Sequence, residues 1–203
     1  FKLDFSNIQQ TLRYTDASNS LTYVANVAGA RIKGAEVQLD AQVPNLSLSL
    51  GYTYLNAKFT NWIAPDIANQ RLPTDSCLPG STAALCLIDL SGSPFQNAPE
   101  HQFRGSVRYH LPIDDVLGDA WIQLAGYYQS RQWHTPAPFR ELQLARAFGL
   151  GDMTDGISQK PYGVLNLRVG WDEIGGSKVS AAIFVNNLTD TTYSQTGTTR
   201  AFN

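Results

Sequence analysis

Residues Leu46-Ser-Leu-Ser-Leu-Gly-Tyr-Thr-Tyr54 put Leu46, Leu48, Leu50, Tyr52 and Tyr54 at every second position, with Ser47, Ser49, Gly51 and Thr53 between them. In an extended strand this period of two sends the sets to opposite faces, one apolar and one polar. A strand of about 9–11 residues divided in this way can cross a bilayer at a tilt, within a closed barrel. Its apolar side then meets lipid and its polar side a watery lumen. Seven stretches of this chain, each of roughly ten residues, share the division. The pattern points to a membrane pore or transporter and away from a soluble enzyme.

The expected strands run over about 1–12, 31–41, 46–59, 102–111, 119–131, 163–173 and 179–186. On the second, Ala35, Val37, Leu39 and Ala41 oppose Gly34, Glu36, Gln38 and Asp40. Val43-Pro44-Asn45 is a tight turn, because Pro fixes φ and Asn tolerates turn geometry. Pro112 to Asp119 and Gly175-Gly176 make the other short connections, and Thr15 to Ser20 is a polar connector. In contrast, residues 60–99, with Pro65, Pro73, Pro79, Pro94 and Pro99, carry no periodic pattern. Residues 134–160 form a second long loop, and Ser194 to Asn203 the start of a third. Long loops on one end and short turns on the other are the habit of an outer-membrane barrel and rare inside a compact soluble domain. Leu48, Leu50, Tyr52, Val107, Tyr109, Leu165, Leu167, Val169, Ala181 and Ile183 are the expected lipid face.

Composition agrees. Charged residues are 16% of 203 against 43% hydrophobic, a low charge for a soluble surface. The longest apolar run, Ala83 to Ile88, is too short for a transmembrane helix. A net charge of -2 gives no electrostatic case for nucleic acid. Cys77 and Cys86 lie in a Pro/Gly/Ser-rich stretch and are open to three readings: a local disulfide, two free thiols or half a metal site. None of His101, His110 and His134 falls at ligand spacing from them, which favours the disulfide and an oxidising compartment.

Several segments resemble the C-terminal barrel of TonB-dependent outer-membrane receptors. These are YVANVAGARIKGAEVQLDAQ (23–42), LSLSLGYTYLNAKFTNW (46–62), PEHQFRGSVRYHLP (99–112) and YGVLNLRVGWDE (162–173), with VSAAIFVNNLTDTTYSQ (179–195) the most specific. The resemblance implies an all-β fold, a transmembrane antiparallel β-barrel of about 22 strands of which this chain supplies seven. It implies that an N-terminal plug domain, further barrel strands and a last strand ending in an aromatic residue belong to the same receptor outside residues 1–203. It also implies a bacterial outer-membrane location, contact with lipid, and coupling through absent N-terminal segments to the TonB energy-coupling complex. The expected activity is active uptake of a small scarce nutrient: a ferric siderophore first, with saccharide or cobalamin behind it. Such a barrel performs no catalysis and needs no cofactor. The energy-coupling residues of the family have no counterpart here.

Candidate ligand residues are Arg131, Trp133, His134 and Phe139, crowded beside one extracellular rim. Cations and aromatics suit a binding mouth, and the same residues suit an aromatic girdle at the lipid interface. Arg104, Arg108, Arg131 and Arg168 on lumen faces suit an anionic ligand; the blander reading pairs them with Glu36, Asp40 or the plug. Gly149 to Gly156 lacks the Lys-Ser/Thr of a phosphate loop and the Glu of a calcium loop, and reads as a flexible loop. Asn45-Leu-Ser47 and Asn187-Leu-Thr189 fit a glycosylation triplet that chance produces often. There is no Gly-x-Ser-x-Gly and no metal-ligand set. A passive porin is the main alternative, and a soluble β-rich carbohydrate-binding module the more distant one.

Overall fold

A computed structural model describes residues 1–15, 20–65, 77–81, 86–135, 138–149 and 151–194. The connector expected after Thr15, the first half of the run from Ala83 and the loop expected beyond Ser194 lie outside the described residues. The strands are β1 (Lys2–Thr15), β2 (Ser20–Val43), β3 (Leu46–Pro65), β4 (Leu87–Asp89), β5 (His101–His110), β6 (Asp119–Gln129), β7 (Gln132–Trp133), β8 (Ser158–Gln159), β9 (Tyr162–Asp172) and β10 (Ala181–Val185). Two helices, α1 (Pro138–Ala147) and α2 (Thr154–Ile157), lie between β7 and β8. One antiparallel sheet runs β1-β2-β3-β5-β6-β9-β10, with β4 paired to the upper end of β3. No helix among the described residues is long and apolar enough to cross a membrane.

Register settles which side chains share a face. Leu48 pairs with Val107, Val107 with Leu124, Leu124 with Leu167 and Leu167 with Val185. The row below joins Leu46, Tyr109, Ile122, Val169 and Ile183. These side chains are not packed on a second sheet: Leu124 is 38% exposed, Val169 41% and Ile183 77%. They form the lipid face expected from the alternation. Its edges are aromatic, with Tyr52, Tyr54, Phe103 and Tyr128 toward the long loops and Tyr109 and Trp171 toward the short turns. Two such girdles bound the apolar band of a membrane barrel.

Short turns close one end. Asn45 takes φ 65°, and its carbonyl accepts from His110 N at 2.8 Å. Between β5 and β6, Asp114 Oδ1 accepts from Val116 N at 3.1 Å, and Gly118 adopts φ 97°. A Cβ on Gly118 would stand 2.3 Å from the Asp172 carbonyl oxygen, so that turn admits only glycine.

Above Tyr54 the faces exchange character. Outward positions become Asn56 and Lys58 on β3 and Lys33 and Arg31 on β2, while the inward ones become Ile32, Ala30, Ala57 and Phe59. The inward set builds the buried core at the long-loop end. Trp62, 1% exposed, packs with Phe59, Ala28, Ala30, Ala64, Cys86, Ile88 and Leu90. The Phe59 ring lies 4.5 Å from both Trp62 and Phe95. Burying each large side chain of this kind stabilises by about 1.5–3 kcal/mol. Cys77 and residues 86–95 are thus folded against the strands.

The long connections carry more regular structure than the sequence indicates. β3 continues to Pro65 and pairs Ala64 with Ile88 of β4, where a strand end near residue 59 was expected. Residues 134–160 hold α1, α2 and β8 within what the sequence reads as a long loop. Gly156, read as part of a flexible loop, lies in α2.

Candidate binding mouth and lumen wall

The mouth is assembled from short elements. β7 and β8 pair through Gln132–Gln159 and Trp133–Ser158, drawing the chain after β6 back beside β9. His134 N donates to the Ile157 carbonyl at 2.8 Å and so extends the pair, and the loop from β4 docks on it through Asn97 N, which donates to the Trp133 carbonyl at 2.7 Å. α1 seats Leu144 and Ala145 inward, 0% and 1% exposed, and leaves Phe139 56% exposed. Cys77 and Cys86 are joined by a disulfide with Cα atoms 5.2 Å apart, and Cys86 belongs to the core under Trp62.

The four mouth residues come together in part. The Trp133 and Phe139 rings meet edge to face at 5.8 Å. His134 Nδ1 lies 3.3 Å from Asn97 Oδ1, and its Nε2 is buried without a hydrogen-bond partner. Burial pushes the imidazole below its ordinary titration range. Arg131 is tied down on one side, donating from Nη1 to Ser158 Oγ at 2.6 Å with Asp155 Oδ1 at 3.7 Å; Asp155 is shared with Lys160 at 2.7 Å. Nearby, the Thr154 hydroxyl and amide hold the Asp152 carboxyl below the usual range. The cluster therefore offers two aromatic faces and one half-buried imidazole, with a guanidinium already engaged by its neighbours.

The lumen wall departs from expectation. Arg104, Arg108 and Arg168 are not paired with Glu36 or Asp40; they stack on aromatics. Arg104 lies 5.5 Å from the Tyr127 centroid, and Arg108 and Arg168 lie 4.3 and 5.4 Å from that of Trp121. Arg108 also donates from Nη2 and Nε to Gln123 Oε1 at 2.7 and 3.1 Å. The reason is register: Glu36 and Asp40 sit on β2 opposite Thr53 and Ser49, three strands away from Gln123 and Trp121 on β6. Higher up, Tyr162 stacks on Tyr193 at 4.4 Å and meets Tyr127 at 6.1 Å. This tyrosine column was missed because Tyr193 lies outside any alternating strand. The wall borders an open hollow of about 660 Å³ lined by Gln38, Ser49, Arg104, Tyr127 and Asn166.

An apolar band between two aromatic girdles, a polar lumen wall and a folded long-loop end define a segment of a membrane-spanning antiparallel β-barrel. The family described as TonB dependent receptor-like, beta-barrel, matches residues 1–188. The chain belongs to the TonB-dependent receptor family, whose members are transport receptors of the outer membrane. Similar solved structures are the siderophore receptor PiuA of Acinetobacter baumannii (18% identity, TM-score 0.57, covering 95% of this chain and 21% of that one). The ferric yersiniabactin uptake receptor FyuA of Yersinia pestis gives 15% identity and TM-score 0.57, covering 98% of this chain and 26% of that one. BauA, the ferric preacinetobactin receptor of A. baumannii, gives 14% and 0.52, covering 95% and 23%. The chain thus spans about a fifth to a quarter of those receptors. No curated protein matches its sequence.

Proposed function

We propose that this chain is barrel sequence of an outer-membrane receptor that takes up a ferric siderophore in a TonB-dependent manner. The match of residues 1–188 to the receptor barrel family carries the reading. The choice of siderophore is supported by the three similar receptors, which take a siderophore, ferric yersiniabactin and ferric preacinetobactin. In this reading the connections around 60–99 and 134–160 face outward, the plug seats against the lumen wall, and TonB pulls on segments outside this chain. Trp133 and Phe139 supply aromatic surface for an iron-chelate, with Arg131 and His134 beside them. Aromatic faces bind flat ligands at low entropic cost, and the cation favours an anionic complex. The barrel itself carries out no reaction.

The test uses the full-length receptor. A strain lacking the gene is supplied with radiolabelled iron on a panel of siderophores, with and without TonB. Loss of uptake of one siderophore, restored by the gene only when TonB is present, is the expected result. Undiminished uptake of every siderophore, or restoration without TonB, overturns the reading. A Trp133→Ala, Phe139→Ala double variant should weaken binding of that siderophore by about tenfold, the equivalent of one aromatic contact of about 1.4 kcal/mol.

A further inference from the structure

The outward face of β1–β3 just above the aromatic girdle is cationic, and neither the fold nor the uptake reading accounts for it. Register places Lys2 opposite Lys33 and Lys33 opposite Asn56; two residues further up, Asp4 is opposite Arg31 and Arg31 opposite Lys58. Lys33 and Asn56 lie one outward row above Ala35 and Tyr54, and Arg31 and Lys58 lie two rows above. At about 3.3 Å per residue that is roughly 7 and 13 Å along the strands from the edge of the apolar band. All four cations are exposed. Asp4 is the single carboxylate in these rows. It is held by Lys2 at 3.0 Å and Arg31 at 2.6 Å, and Lys33 and Lys58 have no ion-pair partner among the described residues.

Like charges placed directly across a strand pair repel and destabilise it. Two such pairs, Lys2–Lys33 and Arg31–Lys58, stand in adjacent rows here, a costly arrangement for a surface that meets only water. The face they share is, a few residues lower, the face that meets lipid. What lies against a barrel immediately above its apolar band is the layer of lipid headgroups, and basic clusters at that height attract anionic headgroups. Long Lys and Arg stems lie along the apolar rim while their charged ends reach the polar layer.

We propose that Lys2, Arg31, Lys33 and Lys58 form a binding site for phosphate groups of an anionic lipid headgroup in the leaflet on the long-loop side. The proposal rests on the barrel's orientation in the membrane and not on which nutrient it carries. Arg31 offers a planar fork to phosphate oxygens, and the lysines act as point charges around it. Asp4 keeps Lys2 and Arg31 in place, while Lys33 and Lys58 are free to close on the phosphate.

The test is native mass spectrometry of the full-length receptor in detergent, titrated with a bisphosphorylated lipid A, a zwitterionic phospholipid of similar chain length, or inorganic pyrophosphate. The wild type should hold the phosphorylated lipid, and added salt should release it. The Lys33→Gln, Lys58→Gln double variant should bind it about 30-fold more weakly, at about 1 kcal/mol per lysine. Lys178→Gln, on the short-turn side, should bind as the wild type does. Heat-modifiable mobility checks that each barrel is folded, and siderophore uptake is measured separately, so failure of lipid binding is distinguishable from failure of the transport reading. Equal retention by wild type and double variant, equal binding of the zwitterionic lipid, salt-independent binding, or binding of pyrophosphate without the lipid would each overturn the proposal.

Discussion

Trp121 lies against Gly170 on the lumen face, where a Cβ on residue 170 would stand 2.4 Å from the indole ring. The missing side chain lets the ring lie flat, with Nε1 donating to Asp172 Oδ2 at 2.7 Å and Arg108 and Arg168 stacked over it. Gly170→Ala should displace the ring and lose these contacts together, costing about 1–3 kcal/mol in denaturant unfolding of the refolded receptor. In a Trp121→Ala background the same change should cost close to nothing. Additive costs in that double-mutant cycle would show that the ring does not depend on Gly170.

The second prediction separates the two faces within one part of the sheet. Leu124 points to lipid near the middle of the band, and Ser106 points to the lumen. Leu124→Arg should cost roughly 2–4 kcal/mol when the receptor is unfolded from lipid vesicles. Ser106→Arg should stay within about 0.5 kcal/mol, as exposed polar positions do. Equal costs would contradict the assignment of faces.

Alternation made the lower barrel readable because lipid and lumen impose opposite chemistry on successive residues. Where that chemistry exchanges, the reading stopped. Beyond Tyr54 the outward positions are Asn56 and Lys58 and the inward ones Ala57 and Phe59, and the pairing then slips so that Gly29 meets Asn61 and Ala30 meets Phe59. A pattern followed on one face ends there, although β3 runs on to Pro65. The same kind of slip between Phe5 and Gln9 on β1 obscures the upper part of β2. α1 was hidden for another reason. Its Leu142 and Leu144 are two apart, as in a strand, and Pro136 and Pro138 precede them like loop residues. Pro is nonetheless well placed at the start of a helix, and it is the packing of Leu144 and Ala145 that makes the segment helical. The candidate mouth residues stand out in sequence only as a cluster of types, and Arg131's ties to Ser158 and Asp155 depend on the β7–β8 pair, which two-residue strands do not announce in sequence.

Reduction of the Cys77–Cys86 disulfide should loosen the long-loop end without unfolding the barrel. Closing a segment of this length restricts the unfolded chain by about 2.7 kcal/mol on the loop-entropy account. Ile88, Leu90 and Phe95 still pack near Trp62 and Phe59, so the strands beneath keep their core. Limited proteolysis under reducing conditions should therefore cut within residues 77–99 and leave the barrel's heat-modifiable mobility unchanged. Loss of that mobility on reduction would mean that the disulfide supports the whole barrel and not the loop alone.

The last prediction concerns acidity at the mouth. His134 holds Asn97 beside β7 in the neutral state, with burial disfavouring its charged form and Nε2 lacking a partner. Its folded-state pKa therefore lies below the unfolded value of about 6.5. The sign follows from linkage: above about 6.5 both states are neutral and the contact is intact, and as pH falls below that value the unfolded loop takes up the proton more readily. The contact weakens until pH passes the lowered folded value, beneath which the loss levels off. Hydrogen exchange in residues 94–99 and 132–135, corrected for the intrinsic chemical rate, should lose protection as pH falls from 7.5 to 5.5, while amides of β6 and β9 within the band stay protected. His134→Gln keeps a polar side chain that does not titrate, so exchange there, corrected for the intrinsic chemical rate, should become independent of pH across the same interval. An unchanged loss of protection in that variant would place the acid-sensitive group elsewhere, with the nearby Asp152 excluded because its hydrogen bonds to Thr154 keep its carboxyl ionised throughout that range.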